Sequence, residues 1–245
     1  MLFVEEHKRV ENDRIPSIIA LLIMIGENGI IKSTQLYLLS SENYTMFNSF
    51  CKAFPNVSRE TIDKIQMYLD LLRKWNQTHN LLQKEALVID EFERRHLIDC
   101  WQLTAYIPKG VSILDVGSGN GLPGILLSLA GYKVEMTEKD RKKVSFLKYC
   151  VSELDLTVVI KCVDVYCYKS AHPILTSRAF SSLGNLLSIQ ENVSRETIGY
   201  FLKGQNVNQE IEEAKLKWFF NITCHPSLSS KDGVILVVSD VVRKI

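Results

Sequence analysis

The spacing of apolar residues predicts two helices in the region before the first strand. After Ser58, apolar side chains recur every three or four residues, which predicts an amphipathic helix that ends near Trp75. Ser58 is the expected N-cap, because its hydroxyl can accept a hydrogen bond from a free N–H group of the first turn. A second helix is predicted over Leu87–Tyr106, and Pro108 lies just beyond its end.

From residue 111 onward, short apolar runs alternate with helical stretches. This alternation is typical of a parallel sheet that is covered by helices on both faces. The predicted strands are Val111–Val116, Lys133–Thr137, Thr157–Lys161, Ile174–Ser177, Ile198–Leu202 and Val234–Val238. The predicted helices are Pro123–Ala130, Arg141–Leu154, Leu183–Gln190 and Val207–Trp218.

The chain divides by pattern into residues 1–56, 57–110 and 111–245. The most apolar stretch, Ile15–Ile25, is about half as long as the roughly 20 residues that a membrane-spanning helix needs. It follows a mixed-charge segment and lacks a cleavage site of small residues, so we expect a short packed helix and no secretory or membrane role. A chain that begins at Met46 is expected to be soluble, folded and active.

Composition and charge place the chain among ordinary globular proteins. Its 245 residues are 46% hydrophobic and 23% charged, which suits one large α/β domain with a short appendage. The formal net charge is +1, so any nucleic-acid binding must come from a local basic patch. The basic run between Lys139 and Lys148 is either such a patch or a solvated helix face.

The six cysteines predict no metal site. Only Cys162 and Cys167 are close in sequence, and their spacing fits no zinc ligand pair. We expect reduced, mostly buried thiols in a cytosolic protein.

The strongest motif is the glycine-rich segment ILDVGSGNGLPG, which leads from a strand into a helix. Glycines at such a turn allow positive φ angles and a close approach of the backbone to a ligand. A nicotinamide-binding loop would place its third glycine where this chain has Leu122. The residues that we expect to contact a cofactor here are Asp115, Gly117, Ser118, Gly119, Gly121 and Leu122.

Two acids flank this loop and favour S-adenosylmethionine as the ligand. Asp115 precedes the glycines and can take the ammonium of the methionine end through a water molecule. Glu138 ends the second predicted strand, 21 residues after Gly117, where a carboxylate accepts hydrogen bonds from ribose hydroxyls. The alternative is a plain glycine turn with a solvated glutamate.

Five motifs follow one another along the chain: KWNQTHNLL (Lys74–Leu82), RRHLIDC (Arg94–Cys100), LDVGSGNGLPG (Leu114–Gly124), SRAFSSL (Ser177–Leu183) and FLKGQ (Phe201–Gln205). In this order they resemble the 16S rRNA guanine-N7 methyltransferases of the RsmG or GidB family, and the match extends from about Val57 to the C-terminus. The resemblance implies a Rossmann-like class I methyltransferase: a mixed, mostly parallel seven-stranded sheet with an N-terminal helical cap. It also implies a cytoplasmic enzyme that uses S-adenosyl-L-methionine.

The family further implies methylation of N7 of one guanine near the decoding centre, on 16S rRNA or a small-subunit ribosomal particle. We expect a monomer that does not bind membranes. Residues 57–110 would form the cap, and residues 111–245 would form the domain that binds S-adenosylmethionine.

Guanine N7 already carries a lone pair in the plane of the base, so the reaction needs alignment of the reactants and no general base. The candidate catalytic residues are Arg178 and Lys203, which follow the fourth and fifth predicted strands and could fix the guanine or its phosphates. Arg178 is also expected at the cofactor. Both side chains could equally be solvated surface.

Near the adenine, the chain departs from the family that it resembles. The family usually has an Arg–aliphatic–Glu stretch after the third strand, whereas this chain has CVDVYCY. Asp164 is expected to take the adenine amino group, with Val165 beside it.

Two further features of the second helix have open interpretations. Arg95 and Asp99 lie four residues apart, either as an ordinary helix ion pair or as a strut that holds the cap over the site. His96 is expected to be a satisfied packing histidine that does not act in catalysis.

Three rival functions remain on sequence grounds. The same fold serves small-molecule methyltransferases, because fold does not fix the acceptor. A non-catalytic RNA-binding module would not need the intact cofactor loop, and a nicotinamide dehydrogenase would need a different glycine pattern.

Overall fold

The structure is a computed structural model that describes residues 47–245. The predictions for the apolar run Ile15–Ile25 and for a start at Met46 concern residues outside the described part. No helix in that part is long and apolar enough to cross a membrane.

The region before the first strand is helical, as predicted, but its second helix is irregular. The Ser58 hydroxyl accepts a hydrogen bond from the Thr61 N–H at 3.1 Å and caps the first predicted helix. The successive elements are α1 (Asn48–Ala53), α2 (Arg59–Asn76), a 3-10 turn (Lys84–Leu87), α3 (Ile89–Phe92), a π-helical turn (Glu93–Ile98), α4 (Asp99–Trp101) and a 3-10 turn (Gln102–Ala105).

The rest of the described chain forms a seven-stranded sheet flanked by helices. The strands are β1 (Ser112–Val116), β2 (Lys133–Glu138), β3 (Val158–Cys162), β4 (Ile174–Arg178), β5 (Ile198–Lys203), β6 (Trp218–Pro226) and β7 (Val234–Arg243). The helices are α5 (Gly124–Leu129), α6 (Arg141–Glu153), α7 (Leu183–Val193) and α8 (Val207–Lys215), with a 3-10 turn at Val165–Cys167.

The strand order is β3-β2-β1-β4-β5-β7-β6. Strand β7 runs antiparallel to β5 and β6, and the other neighbours pair in parallel. The mixed, mostly parallel seven-stranded sheet of the Rossmann-like class I methyltransferase fold is therefore confirmed. Because β1, β2, β4 and β5 pair in parallel, their carboxyl ends lie at one edge of the sheet, where open α/β sheets bind their ligands.

One predicted helix is wrong at its end. The stretch predicted as Val207–Trp218 stops being helical at Lys215, and Trp218 begins β6, which the apolar pattern did not indicate. Strand β6 lies at the edge of the sheet, and polar residues interrupt its apolar ones. Its Phe219 is 61% exposed, so the alternation that marks a half-buried strand is weak there.

Each face of the sheet has its own hydrophobic core. One core joins α2, α5 and α6 to the sheet, and the other joins α7 and α8 to the opposite face. Phe47 and Phe50 belong to the first core, and the Phe50 N–H donates to a Glu93 carboxylate oxygen at 2.7 Å. A start at Met46 retains both side chains, whereas a start at Val57 would remove them.

The expectation of mostly buried thiols is wrong. Cys100 and Cys150 are buried and Cys51 is half-buried, but the other cysteines, Cys162, Cys167 and Cys224, are exposed. Cys162 ends β3 at the edge of the sheet and Cys167 follows in a surface turn, which explains their exposure.

Candidate active site

The glycine loop between β1 and α5 adopts a backbone that requires glycine. Gly117, Gly119 and Gly121 have φ angles of 63°, 56° and 99°. A Cβ atom at Gly117 would lie 2.0 Å from the ring of Phe180, so that ring packs directly on the loop. The loop therefore combines left-handed backbone with an aromatic neighbour from the segment after β4.

A cavity of about 410 Å³, here termed the loop cavity, opens beside these glycines. Most of the predicted cofactor-binding residues line it. Asp115 and Gly121 lie outside its lining, because Asp115 is fully buried beneath the loop and Gly121 packs against Ile125 and Tyr68. The predicted residues that line it are Gly117, Ser118, Gly119, Leu122, Glu138, Asp164, Val165 and Arg178.

Asp115 is a buried carboxyl group with incomplete hydrogen bonding. One carboxylate oxygen accepts a hydrogen bond from the Thr176 hydroxyl at 3.1 Å. The other oxygen has no partner in the described part of the chain and lies close to Gly124 at the start of α5. Burial raises the pKa of Asp115 from 3.8 to about 7, since a charged form is disfavoured away from water.

Glu138 joins the end of β2 to the glycine loop. One of its carboxylate oxygens accepts from the Gly119 N–H at 2.9 Å and the other from the Asp140 N–H at 2.8 Å. The residue is 8% exposed and lines the loop cavity. Each carboxylate oxygen can accept a further hydrogen bond, so the group can take a ligand without releasing the loop.

Asp164 and Val165 lie at the far end of the loop cavity. The Asp164 carboxylate caps the following 3-10 turn by accepting from the Tyr166 N–H at 3.2 Å, and it lies 3.6 Å from the Lys139 ammonium. Val165 is buried and supplies an apolar surface. A planar heteroaromatic group with an amino donor fits this pair of an apolar side chain and an acceptor.

A second, larger cavity of about 1010 Å³, here termed the wide cavity, adjoins the first. The two cavities share Leu82, Arg178, Ala179 and Phe180 in their walls. The cationic residues in the wall of the wide cavity are Arg94, Arg95, Arg178 and Lys203.

Arg178 is fixed at the junction of the two cavities. Its Nε donates to the Asp99 carboxylate at 2.9 Å, and one terminal nitrogen donates to the Arg95 carbonyl at 2.8 Å. The ion pair that the spacing of Arg95 and Asp99 allows does not form, because Arg95 pairs with Glu91 at 2.7 Å. The strut interpretation fits better, since Asp99 connects the helical region to β4.

Lys203 lies in the wall of the wide cavity, but its ammonium already donates hydrogen bonds to other groups of the protein. It donates to the Ser181 carbonyl at 2.6 Å and to the Glu210 carboxylate at 2.7 Å. Its side chain is only 10% exposed.

His96 is buried, but its ring makes no hydrogen bond within residues 47–245. The prediction of a packing histidine with satisfied hydrogen bonds is therefore wrong in its second part. It packs against Phe92 with ring centroids 5.8 Å apart. Neither ring nitrogen has a hydrogen-bond partner among residues 47–245. Burial, together with the positive charges of Arg178 and Arg95, lowers the pKa of His96 to about 3.

Two polar residues that sequence reasoning missed hold the loop cavity in shape. The Tyr68 hydroxyl donates to the Asn120 carbonyl at 2.7 Å, which fastens α2 to the glycine loop. Asn76 binds the backbone of Leu81 and Leu82, the residues that close the cavity from the helical side. An apolar pattern cannot reveal such contacts, because Tyr68 and Asn76 look like ordinary helix positions.

Comparison with known proteins gives a consistent result. The sequence model of the GidB family, described as rRNA small subunit methyltransferase G, matches residues 61–234. Ribosomal RNA small subunit methyltransferase G of Rickettsia africae (strain ESF-5) is 37% identical over 196 residues, covering 77% of this chain and 98% of the relative. The protein of that name from Rickettsia bellii (strain OSU 85-389) is 34% identical over 195 residues, covering 77% and 98%.

Among solved structures, the PH0226 protein from Pyrococcus horikoshii OT3 is similar with a TM-score of 0.52 and 10% sequence identity. The match covers 70% of this chain and 98% of that one. At this identity, the similarity concerns the fold alone.

Proposed function

The chain belongs to the rRNA small subunit methyltransferase G family, and we propose that it transfers a methyl group from S-adenosyl-L-methionine to N7 of one guanine in 16S rRNA. The observation that carries the proposal is the junction of the loop cavity with the wide cavity at Arg178. A methyl donor in the first cavity and a base in the second would meet at that shared wall.

The residues of the loop cavity fit S-adenosylmethionine. Gly119 leaves room for a ligand against the backbone, Glu138 offers its carboxylate to two ribose hydroxyls, and Asp164 and Val165 suit the adenine. Asp115 is buried beneath the glycine loop and does not line the cavity, so its carboxylate would attract the ammonium of the methionine end without direct contact. When bound, this cofactor supplies an electrophilic methyl group on a positively charged sulfur.

The wide cavity suits an extruded nucleotide. Guanine N7 must leave the deep, narrow major groove of an RNA helix to reach a methyl group, so the enzyme needs space for a whole base and cations for its phosphates. The cavity provides the space, and the side chains of Arg94 and Arg95, which are 50% and 58% exposed, provide cations in its wall that a phosphate can reach. Arg178 is mostly buried and paired with Asp99, so its part is to orient the base at the junction. The N7 lone pair then attacks the methyl carbon, and no proton has to leave the base.

The partner would be 16S rRNA, free or within a small-subunit particle, which places the enzyme in the cytoplasm. We propose that the protein acts as a monomer, with residues 57–110 as the cap of the site and residues 111–245 as the cofactor-binding domain. The basic run between Lys139 and Lys148 borders the loop cavity at Lys139 and Lys143, where it can contact RNA phosphates.

The test of this function is chemical. Small-subunit rRNA is incubated with the protein and S-adenosylmethionine and then treated with borohydride and aniline, which cleave RNA at N7-methylguanosine. A single new cleavage at one guanine is expected. Methyl incorporation that resists this cleavage, or that occurs only on small metabolites, would refute the proposal.

Glu138→Ala is predicted to weaken S-adenosylmethionine binding by about 1–3 kcal/mol, because the ribose hydroxyls lose their acceptor. The substitution also removes the acceptor for Gly119 and Asp140, so the melting temperature must be measured beside the dissociation constant. Glu138→Gln is the matched control, since it keeps an acceptor oxygen. An unchanged dissociation constant in a folded Ala variant would show that Glu138 does not bind the cofactor.

The rate of methyl transfer is predicted to be nearly independent of pH. His96, with a pKa near 3, stays neutral above about pH 5, and the reaction removes no proton. The single-turnover rate at saturating cofactor should therefore vary less than about threefold from about pH 6 to about pH 9, and His96→Asn should retain most of it. A rate that climbs tenfold per pH unit would instead indicate a general base.

A further inference from the structure

We propose that Glu210 is a positioning residue for methyl transfer and that it acts together with Lys203. The pair holds the segment Arg178–Ser182, which forms the wall between the two cavities. This inference rests on the proposed function. It assigns Lys203 a role that acts through the protein, in place of the direct contact with the guanine or its phosphates that was expected from the sequence.

The contacts of Lys203 and Glu210 converge on the end of this segment. The Lys203 ammonium binds the Ser181 carbonyl at 2.6 Å and the Glu210 carboxylate at 2.7 Å. The same Glu210 oxygen accepts from the Leu183 N–H at 2.7 Å, at the first residue of α7. One ion pair thus binds the backbone on both sides of Ser182.

The other end of the segment is also fixed. Arg178 binds the Asp99 carboxylate and the Arg95 carbonyl. Between the two attachments lie Ala179, with a φ of 51°, and Phe180, whose ring covers Gly117. A left-handed backbone at a residue with a Cβ is unfavourable, so it persists only where the surroundings hold it in place.

The charges favour a positioning role over a phosphate contact. The side chains of Lys203 and Glu210 are 10% and 24% exposed, and each neutralises the other. A cation that is already paired and mostly buried attracts a phosphate weakly, and freeing it would leave the glutamate without its partner. The ion pair therefore acts on the RNA by shaping the wall, which presents the side chains of Arg178 and Phe180 to both cavities.

The experiment is a double-mutant cycle with Lys203→Met, Glu210→Gln and the double variant in the full chain. Single-turnover methylation of small-subunit rRNA is measured at saturating cofactor, with the dissociation constants for S-adenosylmethionine and for RNA over a salt series. Amide hydrogen exchange at residues 179–183 gives a readout that does not depend on activity. Lys215→Met and Glu212→Gln are the matched controls, because that pair is an exposed ion pair on α8.

Each single variant is expected to lower the single-turnover rate about tenfold, because the wall shifts relative to the reacting atoms. The double variant should be no slower than the slower single variant, since both substitutions break one unit. Exchange at residues 179–183 should accelerate, while the salt dependence of RNA binding stays unchanged. The control variants should match the unmodified chain in every measurement.

The opposite pattern would overturn the inference. If Lys203 contacts RNA directly, Lys203→Met weakens RNA binding and flattens its salt dependence, whereas Glu210→Gln frees the cation and preserves or improves binding. Additive rate losses in the double variant would also refute the pairing. Failure of the proposed function can be distinguished from failure of this inference. In the first case the unmodified chain transfers no methyl group to small-subunit rRNA, while hydrogen exchange at residues 179–183 still reports whether the ion pair holds the segment.

Discussion

Asp115→Asn is expected to stabilise the free protein by about 4 kcal/mol at pH 8 and to leave its stability unchanged near pH 3.5. The pKa of this carboxyl is about 7 in the folded protein against an ordinary value of 3.8. Since each tenfold difference in proton affinity is worth about 1.4 kcal/mol, the gap corresponds to about 4 kcal/mol. The folded protein bears this cost whenever the buried carboxylate is ionised.

The direction of the pH dependence follows from which state holds the proton. Between about pH 4 and pH 7 the folded protein keeps a proton on Asp115 that the unfolded chain releases, so this group lowers the free energy of unfolding as the pH rises. Above about pH 7 both states are ionised and the contribution is constant. Asn carries no charge at any pH, so the difference between the two proteins grows only within this window.

Urea unfolding of both proteins at about pH 4 and about pH 8 measures this difference. Thr176→Val is a useful control, because it removes the hydroxyl that donates to Asp115 at 3.1 Å and should further raise the pKa of the carboxyl. The raised pKa would be contradicted if the difference in free energy of unfolding between the Asn variant and the unmodified chain were the same at both pH values.

The gain in stability should come with a loss in cofactor binding. The ionised carboxylate is the negative group beneath the proposed methionine end, so Asp115→Asn should weaken S-adenosylmethionine binding at pH 8 and remove its dependence on pH. Binding by the unmodified chain should strengthen as the pH rises toward 7. Functional sites often contain a buried charged group that lowers the stability of the free protein but contributes to ligand binding.

The sequence predicted those elements of the fold whose residues show a clear local pattern of apolar and polar side chains. The helix after Ser58 was confirmed, because burial of one face imposes a helical period on its apolar residues. The strand that leads to the glycine loop was confirmed as a short apolar run, because it lies inside the sheet and is buried on both faces. Strand β6 was missed because it lies at the edge of the sheet, where mixed polar and apolar residues carry no clear alternation. The last predicted strand was too short for a similar reason, since its outer half is largely exposed.

The arrangement of the candidate site could be predicted where it depends on one segment, but not where it depends on contacts between distant segments. Glu138 was expected beside the glycine loop because it follows Gly117 by 21 residues, and it accepts a hydrogen bond from the Gly119 N–H. Its contact with the ribose stays a prediction. The pairing of Arg178 with Asp99 joins residues 79 positions apart, so no local spacing could indicate it. Lys203 and Glu210 are only seven residues apart, but one ends β5 and the other lies on α8, so neither a strand period nor a helix period relates them.

Arg178→Met is expected to lower the single-turnover rate of methyl transfer about 100-fold. Among residues 47–245, Arg178 is the one charged residue that lines both cavities, and its guanidinium is held by two contacts from the helical region. Removal of the charge takes away a group that can orient the guanine or its phosphate, and removal of the contacts loosens the wall. A misplacement of the reactants by about 1 Å is enough for a loss of this size.

Arg178→Lys separates charge from geometry. A lysine keeps the positive charge, but its single nitrogen cannot reproduce the planar fork that donates to the Asp99 carboxylate and the Arg95 carbonyl together. We expect a loss intermediate between the unmodified chain and the Met variant, about tenfold. Asp99→Asn should lower the rate similarly, and a double variant with Arg178→Met should add little, because the two side chains act as one unit.

Arg94→Met is the matched control for this series. Arg94 also lines the wide cavity, but its side chain is 50% exposed and pairs with Glu91 within its own helical stretch. Its loss should weaken RNA binding and reduce the salt dependence while the rate at saturating RNA stays within about threefold. If Arg178→Met also affects only RNA affinity and leaves the saturated rate intact, then Arg178 serves as a phosphate contact and the alignment of guanine N7 depends on other groups.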